Sequence, residues 1–137
     1  MGFISTIFGR PVRNVRTTFR KKRGFSDLLD NVNALRTTKL QPWALRVMID
    51  AGQVCVDTIS YLDERYTSEE WRIHKLGGVL VTIEKIIRQE EMTYLEEEIT
   101  QVWNDIHDLK VPDLVILRRV RNLVKSLISA VVNFGKV

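Results

Sequence analysis

The stretch PWALRVMIDAGQVCVDTISYL, residues 42–62, decides the fold class. Its polar residues recur every three or four positions, which places them on one narrow solvated stripe of an α-helix. They are Arg46, Asp50, Gln53, Asp57 and Ser60, with Glu64 just beyond the stretch. Pro42 suits the first turn of this helix, because the N–H that proline lacks would be unpaired there. The stretch therefore predicts a central helix that is buried around most of its circumference.

One helix is predicted before the central helix and another after it. Ser26 is a suitable N-cap for a first helix, and Leu28, Val32 and Leu35 follow it at helical spacing. The capping-box pattern Thr67–Glu70 predicts the start of a third helix. Gly77-Gly78 interrupts this third helix, which indicates close packing or a kink. A strand over residues 79–83 is the alternative for the apolar run after the glycines.

Two more helices complete the predicted fold. A second capping-box pattern, Thr93–Glu96, precedes a fourth helix in which apolar residues recur as far as Leu109, and Pro112 ends it. Asp113 is the predicted cap of a last helix over 114–134. The apolar face of that helix consists of Leu117, Val120, Val124, Leu127 and Val131. We predict an all-α, compact bundle of about five helices, with a basic tail over 1–25 and a single helical domain over 26–137.

Charge is distributed unevenly along the chain. Residues 1–40 carry nine Lys and Arg against two acids, residues 41–110 seven against fourteen, and residues 111–137 five against one. This basic–acidic–basic layout indicates that the two ends, and not the middle, meet an anionic partner. The last helix contributes a basic face with Arg118, Arg121 and Lys125. If both ends fold onto one side, they form a single positive surface.

The N-terminus carries the most informative motif. MGFIST matches the N-myristoylation pattern, in which Gly2 presents the amine to be acylated. Phe3 and Ile4 are apolar residues that could insert at a lipid headgroup boundary. A single acyl chain binds membranes only marginally, so stable attachment needs a second signal such as a polybasic patch. Seven cations supply one: Arg10, Arg13, Arg16, Arg20, Lys21, Lys22 and Arg23.

The same basic segment supports other interpretations. An arginine-rich arm can bind RNA or DNA through phosphates, with Phe19 and Phe25 stacking on bases. A mitochondrial transit peptide is also rich in arginine and poor in acids. A disordered solubilising or nuclear-targeting tail is a further alternative. Docking at a membrane from the cytoplasm is the interpretation that we favour.

Catalytic and metal-binding patterns are not evident in the sequence. His74 and His107 belong to no common metal-ligand spacing, so we expect no metal, no cofactor and no enzymatic activity. Cys55, the single cysteine, lies in an apolar run and is expected to be a buried small hydrophobic residue.

The layout of the chain, with Gly2, a basic patch and then a small helical head, resembles that of retroviral matrix proteins. It is also similar to the small basic accessory proteins that viruses encode to bind host or viral partners. The resemblance implies a non-enzymatic peripheral membrane interaction protein of viral type. Such a protein binds an anionic membrane surface through its N-terminus and a protein partner through its helical body. Homo-oligomers are compatible with this interpretation, and an RNA-binding helical protein is the alternative.

Overall fold

A computed structural model describes the backbone of residues 15–137 and the side chains of residues 17–137. Five α-helices form a compact bundle: α1 Val15–Arg36, α2 Pro42–Leu62, α3 Gly77–Gln89, α4 Glu96–Ile106 and α5 Asp113–Phe134. A π-helical segment, Glu70–Leu76, runs directly into α3, and a 3-10 turn, Thr93–Leu95, leads into α4. Over the described residues the only β-type pairing is one antiparallel bridge between Leu40 and Lys136. The predicted all-α bundle is confirmed.

Helix α2 is central, as its polar spacing predicts. It packs against α1, α3, α5 and the π-helical segment. Val47, Met48 and Cys55 are almost completely buried. The predicted stripe is wrong in two respects. Asp57 is only 4% exposed and accepts a hydrogen bond from Gln53 Nε2 at 2.9 Å. Three apolar residues that the prediction places in the core, Leu45, Ile49 and Val56, are exposed instead.

The C-terminus of the chain is fastened to the loop between α1 and α2. The N–H of Gln41 donates to the backbone carbonyl of Gly135 at 2.7 Å, and the N–H of Val137 donates to the backbone carbonyl of Lys39 at 3.1 Å. A Cβ on Gly135 would lie 2.5 Å from the Cβ of Ala44, so this close approach requires glycine. Since α1 also ends at this loop, α1 and α5 run in the same direction.

The predicted start of the first helix is wrong. Helix α1 begins at Val15, and Ser26 lies inside it. Phe25 is 2% exposed, so burial of its ring in the core holds the helix across the predicted boundary. The assignment of residues 1–14 to a tail lies outside the described residues and stays a prediction.

Of the three later helix starts predicted from caps, one is confirmed and two are wrong. At Thr67–Glu70 the capping box is confirmed, because the Glu70 N–H donates to Thr67 Oγ1 at 3.1 Å and the Thr67 N–H donates to Glu70 Oε1 at 3.3 Å. At Thr93 the capping box is wrong, since a 3-10 turn without a side-chain cap bond occupies that position. Asp113 is not a cap either, because its carboxylate bonds to other elements.

The remaining differences concern the third and fourth helices. Residues 79–83 lie in α3, so the strand alternative is wrong. A Cβ on Gly78 would meet no atom within 4 Å, and one on Gly77 would meet only ordinary contacts, so neither glycine is required by close packing. Helix α4 ends at Ile106, and Leu109 is 93% exposed in the loop that follows.

Candidate anion-binding groove

A groove of about 420 Å³ lies between the N-terminal halves of α1 and α5. Buried side chains, Phe25 and Leu117, form its floor, together with the half-exposed Leu114. Among the described residues, four cationic side chains line it, two from each helix, and no carboxylate does. They are Arg20 and Lys21 from α1 and Arg118 and Arg121 from α5.

Helical spacing on both helices explains how the groove forms. Residues three and four positions apart lie on the same helix face, so Thr17, Arg20, Lys21 and Gly24 share one side of α1. The same spacing places Leu114, Arg118 and Arg121 on one side of α5. Gly24 leaves open space, because a Cβ there would meet no atom within 4 Å. The groove therefore combines an apolar floor with cationic walls.

Two acids that contact or adjoin neighbours of the groove residues form salt bridges outside the groove. Asp63 forms a salt bridge with Lys22, the neighbour of Lys21. Asp113, the residue before Leu114, bonds to Arg72. The positive charge of the groove is therefore not neutralised by these carboxylates.

Arg72, which is buried, and Asp113, which is partly exposed, form a cluster that we call the Arg72 latch. Arg72 Nη2 lies 2.6 Å and Nε 2.8 Å from Asp113 Oδ1. The guanidinium also donates to backbone carbonyls, to Val111 at 2.5 Å and to Asp108 at 3.2 Å. Arg72 is 6% exposed, and these bonds supply the partners that a buried cation requires. The latch fixes the loop before α5, and with it the start of α5, to the π-helical segment.

Hydrogen bonds from two further residues complete the environment of Asp113. Tyr61 Oη donates to Oδ2 at 2.6 Å, and Ser68 Oγ donates to Oδ1 at 2.7 Å. Burial alone would raise the pKa of Asp113, but these hydrogen bonds and the charge of Arg72 outweigh burial and lower it. The carboxylate is therefore held in its ionised form.

The cations predicted from the sequence fall into three groups. Arg20, Lys21, Arg118 and Arg121 come together in the groove, as the idea of a single positive surface requires. Lys22 faces Asp63, while Arg23 and Lys125 are exposed and do not line the groove. Gly2, Phe3, Ile4, Arg10 and Arg13 lie outside the described residues, as does the side chain of Arg16.

Two aromatic residues proposed for base stacking have different environments. Phe19 is 65% exposed, but Phe25 is buried in the core, so the expectation that Phe25 stacks on bases is wrong. The apolar face that the sequence identifies on α5 is buried in the core.

Groups with catalytic potential are sparse among residues 15–137. Cys55 is fully buried, and burial raises the pKa of its thiol to about 12, so it is a core residue as predicted. Within this range, His, Cys, Asp and Glu form no cluster of three or more that could hold a metal ion.

The Arg72 latch could not be found from the sequence. Its two residues are 41 positions apart, and Asp113 has the position and residue type of a helix cap. The groove cations are visible in the sequence, but their convergence depends on α1 and α5 running side by side.

Comparisons with family models, curated proteins and solved structures found no match to this chain. No helix in the described part of the chain has the length and apolar character needed to cross a membrane.

Proposed function

We propose that this chain is a non-enzymatic peripheral membrane protein that docks on anionic lipid surfaces through its α1/α5 face. Four cations, Arg20, Lys21, Arg118 and Arg121, converge on one groove whose described lining contains no carboxylate, and this convergence carries the proposal. Gly2, Phe3, Ile4 and the cations of residues 10–16 would extend the same contact. Gly2 is the proposed acylation site.

Physical chemistry favours phosphate-bearing headgroups at this face. Guanidinium groups bind phosphate oxygens through paired hydrogen bonds, and three of the four groove cations are arginines. Each cation near an anionic leaflet contributes about 1 kcal/mol of binding free energy.

Vesicle binding of a groove variant tests the proposal. The variant Arg20→Gln/Arg118→Gln/Arg121→Gln removes three groove cations and leaves Gly2 and the other N-terminal residues intact. We expect its partition onto phosphatidylserine-containing vesicles to fall by about a hundredfold at low salt, since three contributions of about 1 kcal/mol are lost. Co-sedimentation over a range of lipid concentrations measures this change.

A matched control is Arg46→Gln/Arg65→Gln/Lys85→Gln, which removes the same charge from exposed positions away from the groove. This control should lose much less affinity than the groove variant. Equal losses would show that net charge alone determines binding, and absence of vesicle binding by the unmodified chain would contradict the proposal. Intact mass of the protein from its source cell tests acylation of Gly2 separately.

Nucleic-acid binding is the second candidate, because the exposed Phe19 lies on the same helix as Arg20 and Arg23. Phosphate contacts would make RNA affinity fall steeply with salt, and stacking would make it sensitive to Phe19→Ala. A fluorescence-anisotropy titration with a single-stranded RNA at two salt concentrations distinguishes this candidate from lipid binding.

A protein partner on the helical body remains part of the proposal. Leu45, Ile49 and Val56 are exposed on α2, each by about two-fifths. These apolar residues provide a surface for a partner or for a second copy of the chain.

A further inference from the structure

A second cavity, of about 340 Å³, is lined by aromatic residues from three separate elements. Trp43 comes from the start of α2, Tyr94 from the 3-10 turn and Phe134 from the end of α5. Met92 and Glu90 complete the lining. Tyr94 and Phe134 are 58% and 65% exposed, and their ring centroids lie 6.5 Å apart in an edge-to-face arrangement. We call this cavity the aromatic pocket.

The aromatic pocket has a negative character. Among the residues that the structure describes, no Lys or Arg lines it, and none forms a salt bridge with Glu90. Helices α3 and α5 end beside it while α2 begins there, so the helix dipoles partly cancel. The carboxylate of Glu90 is therefore the formal charge that the described lining contributes, and it is negative.

We propose that the aromatic pocket binds a small quaternary ammonium group, the chemical class to which choline belongs. Aromatic faces attract cations through the ring quadrupole, and cages of two or three rings recognise methylated ammonium groups in this way. The lining of three rings and one carboxylate provides both the contact surface and the countercharge.

A quaternary group fits this lining better than a primary ammonium does. A primary ammonium carries three N–H donors. The Glu90 carboxylate can accept from some of them, but the ring faces offer no strong acceptor to replace the water that the remaining donors lose. A trimethylammonium group has no donor, so it contacts Trp43, Tyr94 and Phe134 without losing hydrogen bonds.

Nuclear magnetic resonance titration of the full chain with choline chloride, without vesicles, tests the proposal. The indole N–H resonance of Trp43, assigned with Trp43→Phe, and the backbone amides of Tyr94 and Phe134 should shift and saturate. The neutral isostere 3,3-dimethylbutan-1-ol has the same shape without the charge. We expect it to bind about twofold to thirtyfold more weakly than choline, the range that a cation–π contribution gives.

Two exposed positions allow matched variants that leave the core intact. Tyr94→Leu should weaken choline binding within the same range, about twofold to thirtyfold, because one ring is lost. Glu90→Gln should weaken it as well, whereas Glu97→Gln, an exposed acid outside the pocket, should leave it unchanged. Equal binding of choline and its isostere, or no shift at Trp43 beyond that caused by sodium chloride, would overturn the proposal. Neither outcome depends on membrane docking.

Discussion

Arg72 and Arg121 have the same type of side chain, but the first is buried and the second is exposed. Arg72 is buried and bonds to one carboxylate and several backbone carbonyls. Arg121 is exposed and lines a groove together with three other cations. The described lining of this groove contains no carboxylate. The difference separates two uses of charge, since the paired arginine holds elements together and the unpaired one is available to an anion from outside.

Breaking the Arg72 latch should give the largest change in stability. Asp113→Ala leaves the Arg72 guanidinium buried without its counterion, and removal of one partner of a buried pair costs about 3–5 kcal/mol. Urea unfolding followed by circular dichroism measures the free energy of unfolding. Asp27→Ala, an exposed acid of α1, is the control and should change it by no more than about 0.5 kcal/mol. A similarly small change for Asp113→Ala would contradict the structural role of the latch.

The latch should also make stability depend on pH. A carboxylate whose pKa is lowered by folding stabilises the protein above its unfolded pKa, ordinarily 3.8, and this stability is lost as pH falls through the folded pKa. The unmodified chain should therefore lose more stability than Asp113→Asn as the pH falls below about 4. Urea unfolding at a series of pH values measures the difference.

Two other acids whose pKa values change on folding, Asp50 and Asp57, do not affect this comparison. Burial raises the pKa of Asp50 and Asp57, which gives the opposite trend. That trend is common to both proteins, so it cancels in their difference. Parallel pH profiles for the two proteins would mean that the pKa of Asp113 is not lowered in the fold.

The pair Lys22–Asp63 is intermediate between the two arginine environments. Its side chains are 36% and 31% exposed, so solvent screens their interaction. A double-mutant cycle with Lys22→Met and Asp63→Ala should give a coupling energy of at most about 1 kcal/mol. Addition of 1 M salt should reduce this coupling, and a coupling as large as that of a buried pair would contradict the solvent exposure.

The sequence predicts those parts of the fold that depend on local periodicity. Helix α2 is recognised because its polar residues recur at a helical interval, and the face of α5 that carries Arg118 and Arg121 is recognised for the same reason. The start of α1 was missed because Gly24 and the adjacent cations resemble the end of a tail, whereas burial of Phe25 extends the helix. Packing across the bundle determined that position, and single-sequence periodicity does not report it.

The groove cations and Arg72 also differ in how far the sequence predicts their environment. The groove cations stand out in the sequence because they are clustered near both ends of the chain. Arg72 does not stand out, because it lies in an acidic region and its partner is supplied by a distant helix. Clustered charge in a sequence therefore indicates where a cationic surface forms, while a buried pair has to be found from the fold.

Removing a groove cation should change the free energy of unfolding least, and should raise it where Asp113→Ala lowers it. Arg121 lies among three like charges, so Arg121→Gln relieves repulsion and should raise the free energy of unfolding by up to about 0.5 kcal/mol at low salt. Screening should abolish this gain at 1 M salt, where the Debye length is about 3 Å. Lys125→Gln, on the same helix but outside the groove lining, is the matched control and should gain less. A lower stability for Arg121→Gln would mean that Arg121 has a structural partner, and the distinction between paired and unpaired arginines would then fail.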